Sequence, residues 1–252
     1  MQTFLDWSFC FLERAHRCRD FEALWALYLE VIQPLDLIYA SYAYLPFPNP
    51  KIDLADQQIW KDNFPAVWSE RYDDMGFFEH DVSVSHCKSN GEALRWSEIE
   101  KWAKQGRLTE AQAKVHQEAV QHGLGLGLTI PLPVGSNTGM AGMSLAFGPN
   151  TSERQADSVL QSTQLLLEAV TRYFHASAPT FLNQLYGQKL TDKQKQCLIL
   201  LAKGYINKEV AYELGISEKT VEIRAREVRQ KLKCQTVANC VAKAIALGLI
   251  EI

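Results

Sequence analysis

Glu222 and Arg226 stand four residues apart near the end of the chain, so on a helix they share one side, and both carry chemistry that reads base edges. A guanidinium pairs with guanine O6 and N7, and a carboxylate accepts from cytosine N4. Lys219, Thr220 and Arg229 belong to the same segment, while Arg224, Lys231 and Lys233 suit phosphate oxygens. Charge alone favours a plain solvated helix with i,i+4 ion pairs. The residues around the segment decide otherwise. Ala211 is small enough for two helices to cross closely, Gly215 can take the positive φ of a tight turn, and Val221 packs the second helix back onto the first. Ser217 caps that helix and Glu218 suits its dipole. Val221, Val228 and Leu232 form an apolar stripe on the opposite side. This spacing predicts a helix-turn-helix whose DNA-reading helix runs from about 218 to 233.

A second cluster, His80, Asp81, His86 and Cys87, contains residue types that bind zinc. No HExxH, paired CxxC or distant matching cluster completes four ligands, so a metal-dependent enzyme is a distant alternative. Gly123, Gly125 and Gly127 lack the following helix that phosphate binding requires, and no nucleophile elbow or P-loop is present. The expectation is a non-enzyme without metal or cofactor. The six cysteines, at 10, 18, 87, 197, 234 and 240, show no CxxC spacing and read as reduced side chains, none of them marked as a redox sensor.

The elements that position these groups fall into two parts. Residues 190–252 hold 11 basic and 7 acidic residues, whereas the rest holds 15 and 22, so a basic tail follows an acidic body. Helical patterns lie near 8–33, 54–74, 109–122 and 152–175. Strands are predicted at 37–45, 127–134 and 140–148, the last two joined as a hairpin across Gly135–Gly139. Pro179 is expected to stop the helix before it and Gly187 to mark the far side of a joint. The division is therefore 1–175, a linker at 176–189, and 190–252. The fold class is α+β: an α-β-α sandwich with a central antiparallel sheet, followed by a small all-α helix-turn-helix domain. A phosphorylated receiver in front is disfavoured, because its doubly wound alternation is missing. The N-terminal segment reads as an amphipathic helix and not a signal peptide, so the chain is expected in the cytoplasm without a membrane span.

Two stretches carry a resemblance. From Leu190 to Ile250 the run LTDKQKQCL, LAKGYINKEVAYELGISEKTVE, VRQKL and VAKAIALGLI resembles the LuxR-type DNA-binding domain. FPAVWSERYDDMGFFEHDVSVSHC, then Trp96, then HGLGLGLTIPL, resembles the autoinducer-binding domain of LuxR-type quorum-sensing regulators, which bind N-acyl homoserine lactones. The resemblance implies a four-helix tail whose third helix reads DNA and whose fourth, at about 236–247, helps two subunits pair. It further implies a homodimer on a palindromic site of double-stranded DNA, with RNA polymerase as a possible partner. The chain departs from the family pattern at Val82, commonly Pro, at Gln194, usually acidic, and at Arg224, often His.

The same resemblance assigns roles in the first domain. Trp68 donates to the lactone carbonyl, Asp81 accepts from the amide N–H, and Tyr72 donates to the acyl carbonyl. Trp96 walls the ring, Ser144 adds a hydroxyl and Phe64 an aromatic wall. The alternative function is a regulator of the same architecture that senses a non-lactone small molecule, or none. Each residue alone also has an ordinary reading, the aromatics as core and Asp81 as a helix cap.

Overall fold

The computed structural model describes residues 2–45, 59–89, 91–134, 139–187, 190–246 and 249–252. The chain divides into two compact units that meet in sequence at His175 and Ala176.

In the first unit, strand β1 (Leu37–Leu45) pairs antiparallel with β5 (Met140–Phe147) on one side and β2 (Ile59–Asp62) on the other. Strand β4 (Gly127–Leu132) joins the far side of β5 and carries the two-residue β3 (Leu94–Arg95) at its edge, giving the order β2-β1-β5-β4-β3. Pro131 is accommodated in β4 because β3 pairs only with Leu128 and Thr129, so the missing N–H falls beyond the end of that ladder. The hairpin turn at 135–138 lies outside the described residues.

Strand alternation sorts the two faces of the sheet. Ala40, Tyr42 and Tyr44 of β1 face the helices α1 (Gln2–Ala15), α2 (Phe21–Ile32) and the first part of α7 (Glu153–Gly187). There Tyr28 of α2 lies 4.9 Å from Phe174 between ring centroids and bonds Thr171 Oγ1 at 2.7 Å. The Tyr42 hydroxyl meets His175 Nδ1 at 2.8 Å, and the other ring nitrogen meets the Pro133 carbonyl at 2.7 Å. A carbonyl can only accept, so Nε2 carries the proton and Nδ1 accepts from Tyr42. Burial holds His175 below its ordinary pKa, which keeps this neutral form. The intervening positions, Tyr39, Ser41 and Ala43, face the other layer: α3 (Ala66–Asp74), α4 (Val82–Lys88), α5 (Trp96–Lys104) and α6 (Glu110–Gln121). Thr109 and Gln112 close α6 with a reciprocal capping box.

Several expected boundaries are corrected. The pattern at 8–33 is two helices, broken at residues 16–20. Within 54–74, residues 54–58 lie outside the described set, Ile59–Asp62 is a strand, and the helix starts only after Pro65. Asn63 makes that exit, its side chain accepting from Ala40 N at 2.7 Å and donating to Ile38 O at 2.9 Å. The sequence reading places no element at α4, α5 or β3: α4 and β3 are too short for a periodic pattern, whereas α5 carries an unread amphipathic repeat, with Trp96 and Ile99 buried three residues apart. Pro179 does not stop α7, which continues to Gly187, so most of the stretch read as a linker is helical. One proline removes one backbone bond, and buried Ala178 and Phe181 on either side keep the helical path packed. Residues 188 and 189 lie outside the described set.

The second unit is a bundle of α8 (Asp192–Ala202), α9 (Asn207–Leu214), α10 (Glu218–Lys231) and α11 (Val237–Ala246). Its centre gathers Cys197, Val210, Ala211 and Val221, with Leu200, Leu201, Leu214 and Ile216 packed around them.

Candidate functional site

All six ligand-site residues read from the sequence line one cavity of about 290 Å³ in the first unit. Helix α3 brings Trp68 and Tyr72 to it, four residues and one turn apart, with ring centroids separated by 5.6 Å. Phe77 and His122 also lie within 6.0 Å of the Trp68 ring. The Trp68 side chain is buried, yet among the described residues its indole N–H has no hydrogen-bond partner. Asp81 sits at the N-cap of α4, where Oδ1 accepts from Ser83 N at 2.7 Å and Oδ2 accepts from the Tyr72 hydroxyl at 3.0 Å. Asp81 is thus both a cap and a cavity residue. Its carboxyl is enclosed by protein and keeps accessible surface only in part, as suits a group that borders an internal space. That enclosure raises its pKa, and the Ser83 and Tyr72 hydrogen bonds offset part of the rise. The Tyr72 hydroxyl is pushed well above its ordinary range, first by burial and then by the neighbouring carboxylate.

Trp96 opens α5, and its indole donates to Thr129 Oγ1 at 2.9 Å; Thr129 in turn lies 3.0 Å from Ser144 Oγ. Ser144 and Thr129 are direct partners in the β4–β5 register, which places both hydroxyls on the cavity face. Gly127 makes room for this wall, since a Cβ there would meet the Leu145 carbonyl and come within 2.8 Å of the Trp96 ring. Phe64 completes the lining and packs edge-on to Tyr39.

Thr129 and His116 are among the cavity-lining residues that the sequence reading did not single out. Thr129 had a signal, lying two residues after Gly127 on the same strand face. His116 had none, because its partner is 16 residues away: the ring Nε2 lies 2.6 Å from Glu100 Oε2 and helps hold that carboxyl below its usual range. Val82 occupies the first position of α4, where a helix leaves its backbone N–H unbonded, so the change from Pro leaves the Asp81 cap intact. Of the cluster read as zinc-binding types, His80 is exposed and His86 is held by the Glu92 carbonyl at 2.6 Å. Cys87 packs on β5 at Gly142, its thiol pushed up to about 12 by burial. Among the described residues no group of three His, Cys, Asp or Glu side chains gathers to hold a metal.

In the second unit Gly215 ends α9 with φ 60°, Ala211 and Val221 are buried at the helix crossing, and the Ser217 hydroxyl accepts from Thr220 N at 3.2 Å. Lys219, Glu222 and Arg226 are exposed along α10, while Thr220, Arg224, Arg229 and Lys231 are half-buried. Lys231 is tied to the start of α8: its Nζ donates to Gln194 Oε1 at 2.9 Å. Gln194 is itself buried, forms a capping box with Thr191 at the start of α8, and donates to Glu227 Oε2 at 2.7 Å. Its departure from the family pattern therefore falls inside the bundle, where it ties α8 to α10. Arg229 donates to the Gln235 carbonyl at 3.4 Å, and among the described residues its buried Nε has no partner.

Comparison with known proteins agrees with both units. Residues 20–178 match the autoinducer binding domain, and residues 188–244 match the bacterial regulatory proteins of the luxR family. The chain belongs to the LuxR family. It combines an autoinducer-binding domain with a DNA-binding helix-turn-helix, the architecture of quorum-sensing transcriptional regulators. The transcriptional activator LuxR of Aliivibrio fischeri is 28% identical over 194 residues, covering 75% of this chain and 74% of its own. The transcriptional activator SolR of Ralstonia nicotianae is 27% identical over 246 residues, covering 93% and 95%. The crystal structure of Escherichia coli SdiA shares the fold at 20% identity, with a TM-score of 0.65 over 99% of this chain and 100% of that one. Among the described residues no helix is long and apolar enough to cross a membrane.

Proposed function

We propose that the first unit binds an N-acyl homoserine lactone and that occupancy governs DNA binding by a homodimer. One observation carries the ligand reading. The cavity joins Trp68, an indole donor without a partner among the described residues, to an enclosed carboxylate acceptor, Asp81, inside a wall of aromatic rings. A homoserine lactone head group offers the complementary pair, a ring carbonyl and an amide N–H, and a buried site needs both satisfied. Trp68 donates to the ring carbonyl and Asp81 Oδ2 accepts from the amide. As the amide N–H takes up a lone pair on Oδ2, the Tyr72 hydroxyl becomes free to turn to the acyl carbonyl. Trp96 and Phe64 supply flat apolar surface, and Ser144, linked through Thr129 to Trp96, adds a hydroxyl.

A single helix-turn-helix module makes few base contacts. Two modules related by a dyad read half-sites about 10 bp apart, or a multiple of that. Arg226 and Glu222 are the base readers and Lys219 a phosphate contact in this arrangement. The division into a ligand domain up to residue 175 and a DNA domain from residue 190 follows from the same reading.

Thermal unfolding with a panel of acyl homoserine lactones, free fatty acids and monoacylglycerols tests the proposal. A ligand that binds only the native state stabilises it by about 2.7 kcal/mol at a hundredfold excess over Kd. A chain-length-dependent rise with lactones alone is expected. A rise with every acyl compound alike would refute the head-group assignment, and none with lactones would refute the ligand.

A further inference from the structure

The helical wall of the cavity holds a polar group that a lactone does not use. His116 of α6 lines the cavity, and its side chain is only 11% exposed. The ring Nε2 lies 2.6 Å from Glu100 Oε2, and Glu100, on α5, stands outside the lining. A carboxylate can only accept, so Nε2 carries the proton, and that edge of the ring is turned away from the cavity. Glu100 is also paired with Lys104 Nζ at 3.1 Å, which balances its charge, so a neutral ring completes the trio. Nδ1 is then a bare acceptor whose tautomer is fixed from behind. Among the described residues it has no hydrogen-bond partner, and it is not sealed within protein.

His116 stands at the head-group end. On α6 the His122 ring lies 5.4 Å from the Trp68 ring, and Val115, next to His116, packs in one cluster with Trp68, Tyr72 and Trp96. On α5, Glu100 is one turn beyond Trp96. The lining along β5 leads the other way, from Ser144 beside Thr129 and Trp96, through Gly142, to Met140 about 13 Å off, and leaves that direction to an acyl chain. A homoserine lactone has one N–H, which Asp81 takes, and its ring offers only acceptors. Nδ1 is left unsatisfied by such a ligand, which costs binding energy in an enclosed site.

We propose that His116 is a specificity-determining residue of this cavity, its Nδ1 accepting a hydrogen bond from a ligand hydroxyl, so that the site takes acyl amides with a hydroxylated head group in preference to the same amides without one. The proposal rests on the acyl-ligand reading of the cavity and adds a ligand class to it. Asp81 accepts from the amide N–H as before, and the hydroxyl gives its proton to Nδ1. Glu100 is a positioning residue: it holds the ring so that the acceptor, and not the N–H, meets the ligand. A site built around a ligand hydroxyl discriminates against the analogue that lacks it, because its own polar group then goes unpaired.

Titration calorimetry of the full chain tests this with N-acyl-2-aminocyclopentanols and N-acylcyclopentylamines, whose five-membered ring matches the lactone in size and which differ by one hydroxyl. Each is made at several acyl lengths and measured beside the lactones. The hydroxylated compound should bind about 2- to 12-fold more tightly, the range of one net hydrogen bond. His116→Phe keeps a flat ring without the acceptor and should bring the pair to equal affinity. Glu100→Ala changes a residue of the outer surface, so it serves where the Phe variant fails to fold. It should shrink the ratio while leaving cyclopentylamine affinity unchanged, which a general structural defect would not do. Equal affinities in wild type, or a preference that survives both variants, would overturn the proposal. Binding of lactones but of no aminocyclopentanol amide would overturn it and leave the lactone reading standing. Tight binding of the hydroxylated amides but of no lactone would support His116 and overturn the lactone.

Discussion

Asp81→Asn separates the two demands on this carboxylate, because it keeps the shape and removes the charge. Asn is as good an N-cap as Asp, so Oδ1 continues to accept from Ser83 N, and the new amide can donate to the Tyr72 oxygen in place of the bond it received. What is lost is the acceptor at Oδ2. A hydrogen bond from the ligand amide to a charged group contributes about 1.5–3 kcal/mol, so titration calorimetry with a binding lactone should show a Kd weakened roughly 10- to 150-fold. The ligand-free protein should respond oppositely. The enclosed carboxyl has its pKa raised above the unfolded value of about 3.9, so the folded state holds more protons between the two values. Wild-type stability therefore falls as pH rises through that window, and the cost persists above it. The neutral amide of the variant carries no such cost, so at pH 7 the ligand-free variant should melt no lower than wild type, and its melting curve should lose this pH dependence. Wild-type lactone affinity should also weaken as pH falls through the raised pKa, since protonation removes the charged acceptor. Unchanged affinity in the variant would refute the acceptor role. A large drop in ligand-free stability would refute the view that burial of the charge outweighs its hydrogen bonds.

Further outcomes rest on the same geometry. Val82→Pro, at the first turn of α4 and after an Asp81 already extended at ψ 124°, should fold normally and melt with about 0.4–1 kcal/mol more stability; a loss of lactone binding would show that the residue 82 N–H matters. Gly215→Ala meets no atom within 4 Å, so its cost is backbone strain alone, about 1–2 kcal/mol by denaturant unfolding of the helix-turn-helix unit. Arg226→Ala should relax preference at one base pair by about 1–3 kcal/mol in a binding-site selection. Lys231→Ala should instead lower the stability of the bundle, since its ammonium bonds Gln194; a uniform loss across all DNA sequences with unchanged stability would restore it as a phosphate contact.

The amino-acid sequence by itself determined those features that rest on local chemistry. Ala211, Gly215, Ser217 and Val221 declare a helix-turn-helix because a tight turn, a cap and a close crossing each need a residue type at a set spacing. The helical repeat put Trp68 and Tyr72 on one face of α3 in the same way; β1 was legible from its apolar and aromatic run, and β4 and β5 as two apolar segments joined across a short Gly-containing turn. Only the tertiary structure decided what depends on residues far apart in the chain. It bonds Tyr72 to Asp81 and Trp96 to Thr129, brings His116 to Glu100 across two helices, and turns Gln194 and Lys231 inward. It carries α7 through Pro179 because packing on both sides outweighs one lost hydrogen bond. Spacing along a helix or strand is a local periodicity that any reader of the sequence can follow, whereas these contacts arise from the path of the backbone between elements, which no local pattern encodes.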